Sequence, residues 1–86
     1  MKHVLIIDDS KFIVALVQQV LESLENITIY TALSFAQAKM LIEVEKINFH
    51  IAIVDLNLPD AQNGETVDYI NEFEIPTIVL TASSDR

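Results

Sequence analysis

The chain has 86 residues, enough for one domain, and 51% of them are hydrophobic, enough to build a core. Thirteen acidic residues against five basic ones leave a formal net charge of -8, and Lys2, Lys11, Lys39 and Lys46 are scattered, which argues against direct contact with a nucleic-acid backbone. The lack of cysteine excludes disulfides and thiolate chemistry, and the start MKHVLIIDDS reads as neither signal peptide nor membrane span, so a soluble, cytoplasmic protein without a membrane partner is expected.

His3 to Asp8 is a continuous apolar run ending in acid, the pattern of a strand buried on both faces. Asp9 and Ser10 follow as helix N-cap types. Phe12, Ile13, Leu16, Val17, Val20, Leu21 and Leu24 then recur at three- and four-residue steps, which predicts an amphipathic helix with one broad buried face. Asn26 ends it, and the β-branched and aromatic ITIYT predicts a strand nearer the sheet edge. Ser34 with Gln37 has the form of a capping box, and Ala36, Met40, Leu41, Val44 and Ile47 are the expected inner stripe of a second helix.

Ile51 to Asp55 is another uninterrupted apolar run, and Pro59 forces the chain to turn soon after it. The turn-rich DAQNG holds the single glycine, Gly64, before a short helix whose inner face is expected to be Val67, Ile70 and Phe73. Pro76 opens a fourth strand over Thr77 to Thr81. Alternating strands and helices predict an α/β fold, a doubly wound parallel sheet with right-handed crossovers. The first and third strands are the most uniformly apolar, so they belong at the centre, and the expected strand order is 2-1-3-4.

That order brings Asp8, Asp9 and Asp55 to one crevice at the carboxyl ends of the central strands. Carboxylates this close repel one another, so either one stays protonated or a hard divalent cation joins them, and Mg²⁺ suits the donor set. Taken alone, Asp9 is more often a cap or turn residue. Asp55, at the end of an apolar strand, is harder to read that way, because a buried carboxylate without a partner is costly. Thr81 has plain β propensity as its ordinary reading and a hydroxyl facing the crevice as its functional one. His3 and His50, at the opposite end of the strands, read as surface residues rather than as a metal pair.

The paired acids in LIIDDS, the aspartate of IVDLNLP with proline four residues on, the glycine of DAQNG and the Thr-Ala of VLTAS together resemble the receiver domain of bacterial response regulators, over residues 1–86. The resemblance implies a flavodoxin-like sheet and a phosphoacceptor module of a two-component system. Asp55 would take a phosphoryl group from a histidine kinase or phosphotransfer protein. Asp8, Asp9 and Asp55 would hold Mg²⁺ with the Asn57 carbonyl, Thr81 would be the switch hydroxyl, and Asn57 and Ala82 would face the phosphoryl group. The chain ends before the last helix, strand and helix of that family, including a phosphoryl-contacting lysine. This implies an incomplete receiver with an exposed fourth strand, able to form a homodimer or to be completed within a longer parent chain. The loop from Pro59 to Gly64 is one residue longer than the commonest pattern and resembles loops of receivers fused to diguanylate cyclase output domains.

Three other readings compete. A receiver-like dimerisation scaffold without phosphorylation is the main one. A Mg²⁺-dependent aspartyl phosphatase wants an acid two residues after its nucleophile, where this chain has Asn57, so an enzyme is not expected. A cofactor-binding flavodoxin-like domain wants a glycine-rich turn that is missing.

Overall fold

The computed structural model describes residues 1–62 and 64–80. Strands β1 (Lys2–Ile7), β2 (Ile27–Ala32), β3 (Ile51–Asp55) and β4 (Thr77–Leu80) form one parallel sheet in the order β2-β1-β3-β4. The helices are α1 (Lys11–Leu21), α2 (Phe35–Lys39), which continues into a π-helical turn over Met40–Val44, and α3 (Glu65–Glu72). The expected topology and strand order are therefore present. The fourth strand ends at Leu80, and Thr81 lies outside the described residues.

Alternation along the central strands divides the core into two layers. Leu5, Ile7, Ala52 and Val54 point to the side of α2 and α3, where they pack with Ala38, Ile42, Phe49 and Ile70. Val4, Ile6 and Ile53 are also buried and belong to the opposite face, which carries α1 and its buried Val14. Because both faces of β1 and β3 are covered there, Val4–Ile7 and Ile51–Val54 are apolar at every position.

The helices bury different stripes from those the spacing suggests. On α1, Val14 is buried and Ile13, Val17 and Leu21 are half-buried, whereas Phe12, Leu16 and Val20 point outward and Phe12 is 73% exposed. On α2 the inner residues are Ala38 and Ile42, with Leu41 and Ile47 partly buried, while Ala36, Met40 and Val44 are exposed. Met40–Val44 form the π-helical turn, where the amide of Glu45 donates to the carbonyl of Met40 at 2.9 Å, five residues back instead of four. On α3, Ile70 and Thr66 are buried, Val67 is half-buried and Phe73 is exposed.

The capping signals are met with one change. Ser34 Oγ accepts from the Gln37 amide at 3.1 Å, but the Gln37 side chain reaches past the cap and accepts from the Leu33 amide at 2.8 Å. Gly64 begins α3 with φ 78°, a left-handed conformation that glycine adopts without strain. Lys46 and Glu74 take positive φ values just past the π-helical turn and α3, a common way to end a helix.

Ile70→Ala is expected to destabilise the protein by about 2–5 kcal/mol, the range for truncating a fully buried aliphatic side chain. Val20→Ala, at a position 66% exposed, is expected to change stability by less than about 0.5 kcal/mol. Urea unfolding of the two variants distinguishes this burial pattern from the one expected from spacing, in which both positions face the core.

Candidate metal centre

The register Ile7↔Val54 sets the ends of β1 and β3 side by side. Asp8 is the first residue beyond β1, and its amide still donates to the Ala32 carbonyl of β2 at 3.1 Å, so its backbone is fixed by the sheet. Its Oδ1 accepts from the Ser10 amide at 2.9 Å, and Ser10 Oγ caps α1 by accepting from the Ile13 amide at 3.3 Å. Asp55 closes β3, and its Oδ1 accepts from the Asn57 amide at 3.1 Å. Both acids are thus held by tight turns at strand ends.

Asp8, Asp9 and Asp55 each offer a carboxylate oxygen, and these oxygens lie within 4.8 Å of one another. Asp8 is buried, Asp55 half-buried and Asp9 exposed. Two negative charges about 5 Å apart at an effective dielectric of ~20 repel by about 3 kcal/mol. Burial pushes the Asp8 carboxyl above the ordinary aspartate range, and the charges of Asp55 and Asp9 add to the rise, while the Ser10 amide opposes it. A set of hard oxygen donors from three acids, one of them buried, fits a hard divalent cation.

Asn57 is exposed beside Asp55. Thr81 and Ala82, the expected switch hydroxyl and phosphoryl-facing amide, lie outside the described residues. Leu58 and Ala61 exchange two backbone hydrogen bonds of 3.1 Å, both side chains are buried, and a two-residue turn, Pro59–Asp60, projects between them.

At its tip Asp60 accepts from the amides of Phe35 and Ala36, each at 3.0 Å. In the sequence this acid reads only as part of a turn, and no local pattern links positions 25 residues apart. His3 and His50 stand at the opposite end of the sheet. There Nδ1 of His50 accepts from the His3 amide at 3.1 Å and is engaged with the backbone.

A family model described as the response regulator receiver domain matches residues 4–86. Among solved structures, the chain superposes on a CheY-like response regulator receiver domain protein from Methanospirillum hungatei JF-1 with a TM-score of 0.84 and 25% identity, covering 99% of this chain and 67% of that one. The N-terminal domain of a response regulator/sensory box/GGDEF three-domain protein from Carboxydothermus hydrogenoformans gives a TM-score of 0.83 and 25% identity, with coverage of 99% and 68%. The MaeR response regulator bound to beryllium trifluoride gives 0.83 at 20% identity, with coverage of 99% and 70%, a likeness of fold. No curated protein matches the chain significantly.

The raised pKa of Asp8 fixes the sign of a stability effect. The native state holds a proton on Asp8 that the unfolded chain releases near the ordinary value of 3.8, so without a cation stability falls as pH rises from there through the raised pKa. Asp8→Asn is expected to remove this fall and to unfold at a higher temperature than the parent at pH 7 in chelator-treated buffer. Thermal melts of both proteins between pH 4 and 8 check it; parallel curves would contradict the assigned cause.

Proposed function

The chain belongs to the response regulator receiver domain family, and from that footing we propose that Asp55 is the phosphoacceptor of a Mg²⁺-dependent two-component relay. The observation that carries this reading is the convergence of Asp8, Asp9 and Asp55 to within 4.8 Å at the carboxyl ends of the central strands. By the family resemblance Asp55 is the member that attacks, and the turn to the Asn57 amide engages one of its oxygens and leaves the other for an incoming phosphorus.

The phosphoryl donor in this proposal is a histidine kinase or phosphotransfer protein. A carboxylate oxygen of Asp55 forms the O–P bond as the P–N bond to the donor imidazole breaks, and the electron pair returns to the imidazole nitrogen. Asp8 and Asp9, with Asp55 and the Asn57 carbonyl, are the residues that would hold Mg²⁺. Bound there, the ion supplies charge neutralisation for the carboxylates and the phosphoryl oxygens. By the family resemblance Thr81 is the switch hydroxyl and the Ala82 amide faces the phosphoryl group. Asn57 where a phosphatase wants an acid supports an acceptor that holds the group rather than an enzyme that turns over.

The net charge of -8 supports a protein partner over direct contact with nucleic acid, and by the family resemblance the output domain lies in a longer parent chain. The GGDEF-containing relative and the long turn after Pro59 favour an output of the diguanylate cyclase type. No helix among the described residues is long and apolar enough to cross a membrane, and the proposed site of action is the cytoplasm. Association through β4 is the second part of the proposal. Among the described residues this strand pairs only with β3, and its Ile78 and Val79 are 50% and 37% exposed.

Intact mass after incubation with acetyl phosphate tests the first part. A single phosphoryl adduct that requires Mg²⁺ and is absent in Asp55→Asn is expected; a folded protein with no adduct would leave a scaffold as the better reading. Light scattering tests the second. Concentration-dependent dimer is expected for the parent and monomer for Ile78→Lys, whereas a parent that stays monomeric at high concentration removes the edge-paired dimer.

A further inference from the structure

The turn that follows Asp55 is bolted to a helix with which it has no contact in sequence. Asp60 receives two backbone amides, Phe35 and Ala36, one on each carboxylate oxygen at 3.0 Å, and these are the first two residues of α2. Helix starts leave amides unpaired, so a carboxylate brought from elsewhere satisfies two of them at once and meets the positive end of the helix. The same two amides hold the Asp60 carboxyl below the ordinary aspartate range. The helix start is itself anchored, since the Phe35 ring packs edge-on against Tyr69 of α3 with centroids 5.2 Å apart.

Between Asp60 and Asp55 there is little slack. The Leu58–Ala61 bridge fixes the base of the turn with both side chains buried, and the Asn57 amide is spent on Asp55. Asn57 is therefore pinned from both sides: by the acid cluster before it and by the bridged turn after it.

We infer that Asp60 is a positioning residue for the acid cluster: by tying the turn after Asp55 to the first turn of α2, it holds the Asn57 segment in place and couples cation loading of the cluster to the start of α2. This rests on the reading of Asp8, Asp9 and Asp55 as a Mg²⁺ site. Linkage makes the coupling reciprocal, so Mg²⁺ must be felt at α2 if α2 is felt at the site. Removing an outer residue that orients metal ligands commonly weakens affinity by about 10–100-fold.

The test follows backbone amide resonances of the whole chain during titration with Mg²⁺ alone. In the parent, the Phe35 and Ala36 amides are expected to shift with the same midpoint as Asn57. Asp60→Ala is expected to raise the Mg²⁺ Kd by about 10-fold and to abolish that shift, and Asp60→Asn, which keeps one acceptor oxygen, to fall between. Glu25→Ala removes a charge at an exposed position before β2 and controls for net charge; its Kd is expected to stay within about 2-fold, because screening is strong at that distance. The inference is overturned if Phe35 and Ala36 do not respond in the parent, if folded Asp60→Ala binds as the parent does, or if Glu25→Ala weakens binding equally. In each of these cases the parent still binds Mg²⁺ and the reading of Asp8, Asp9 and Asp55 as a Mg²⁺ site stands. A parent that binds no Mg²⁺ ends both, and it does so before any variant is made.

Discussion

Because β1 and β3 run parallel and in register from Val4↔Ile51 to Ile7↔Val54, the residues that follow them must leave the sheet side by side. That pairing places Asp8 against Asp55, and burial of both strand faces makes the pairing hard to shift. A slip of β3 by one residue would turn Ala52 and Val54 away from the core layer they share with Leu5 and Ile7. The repulsion among the acids is thus imposed by apolar packing elsewhere. The fold holds like charges together because moving them apart would cost more in buried area than it relieves in Coulomb energy.

The local chemistry around the acids moderates this conflict without removing it. The Ser10 amide donates to the Asp8 carboxylate, which favours its ionised form, while burial of Asp8 works in the opposite direction. Burial outweighs the amide, so the Asp8 pKa is raised above its ordinary value, and a cation offers another way to relieve the conflict. The pocket is a place where stability is given up at one point of the sheet, so that a cation would find its counter-charges in position.

The sheet and its acids were legible in the sequence because buried parallel strands admit only apolar residues and each ended abruptly at an aspartate. The helix faces were not. Phe12, Leu16, Val20, Ile13, Val17 and Leu21 cover about 180° of the circumference of α1 at 100° per residue, more than one sheet face can bury. Spacing shows such an arc, but which edge of it meets the sheet depends on where the neighbouring elements lie. Here the edge from Ile13 to Leu21 goes in, and Phe12, Leu16 and Val20 stay out. Asp60 was illegible for a different reason. Its partners are backbone amides of a helix preceding it by 25 residues, and backbone amides leave no trace in side-chain patterns.

The π-helical turn over Met40–Val44 bears on how the chain tolerates changes in length. A wide turn stores one residue more than an α-helix of the same rise, so it is the place where this crossover can lose a residue. Excising one position there would let the segment close as ordinary α-helix while leaving Ala38 and the start of α2 in place, and the change of phase would fall on the run toward Phe49 and β3. Insertions and deletions among relatives should therefore gather in the second half of this crossover. The segment between Asp55 and Ala61, fastened at Asn57, Leu58, Asp60 and Ala61, has far less freedom to change its length.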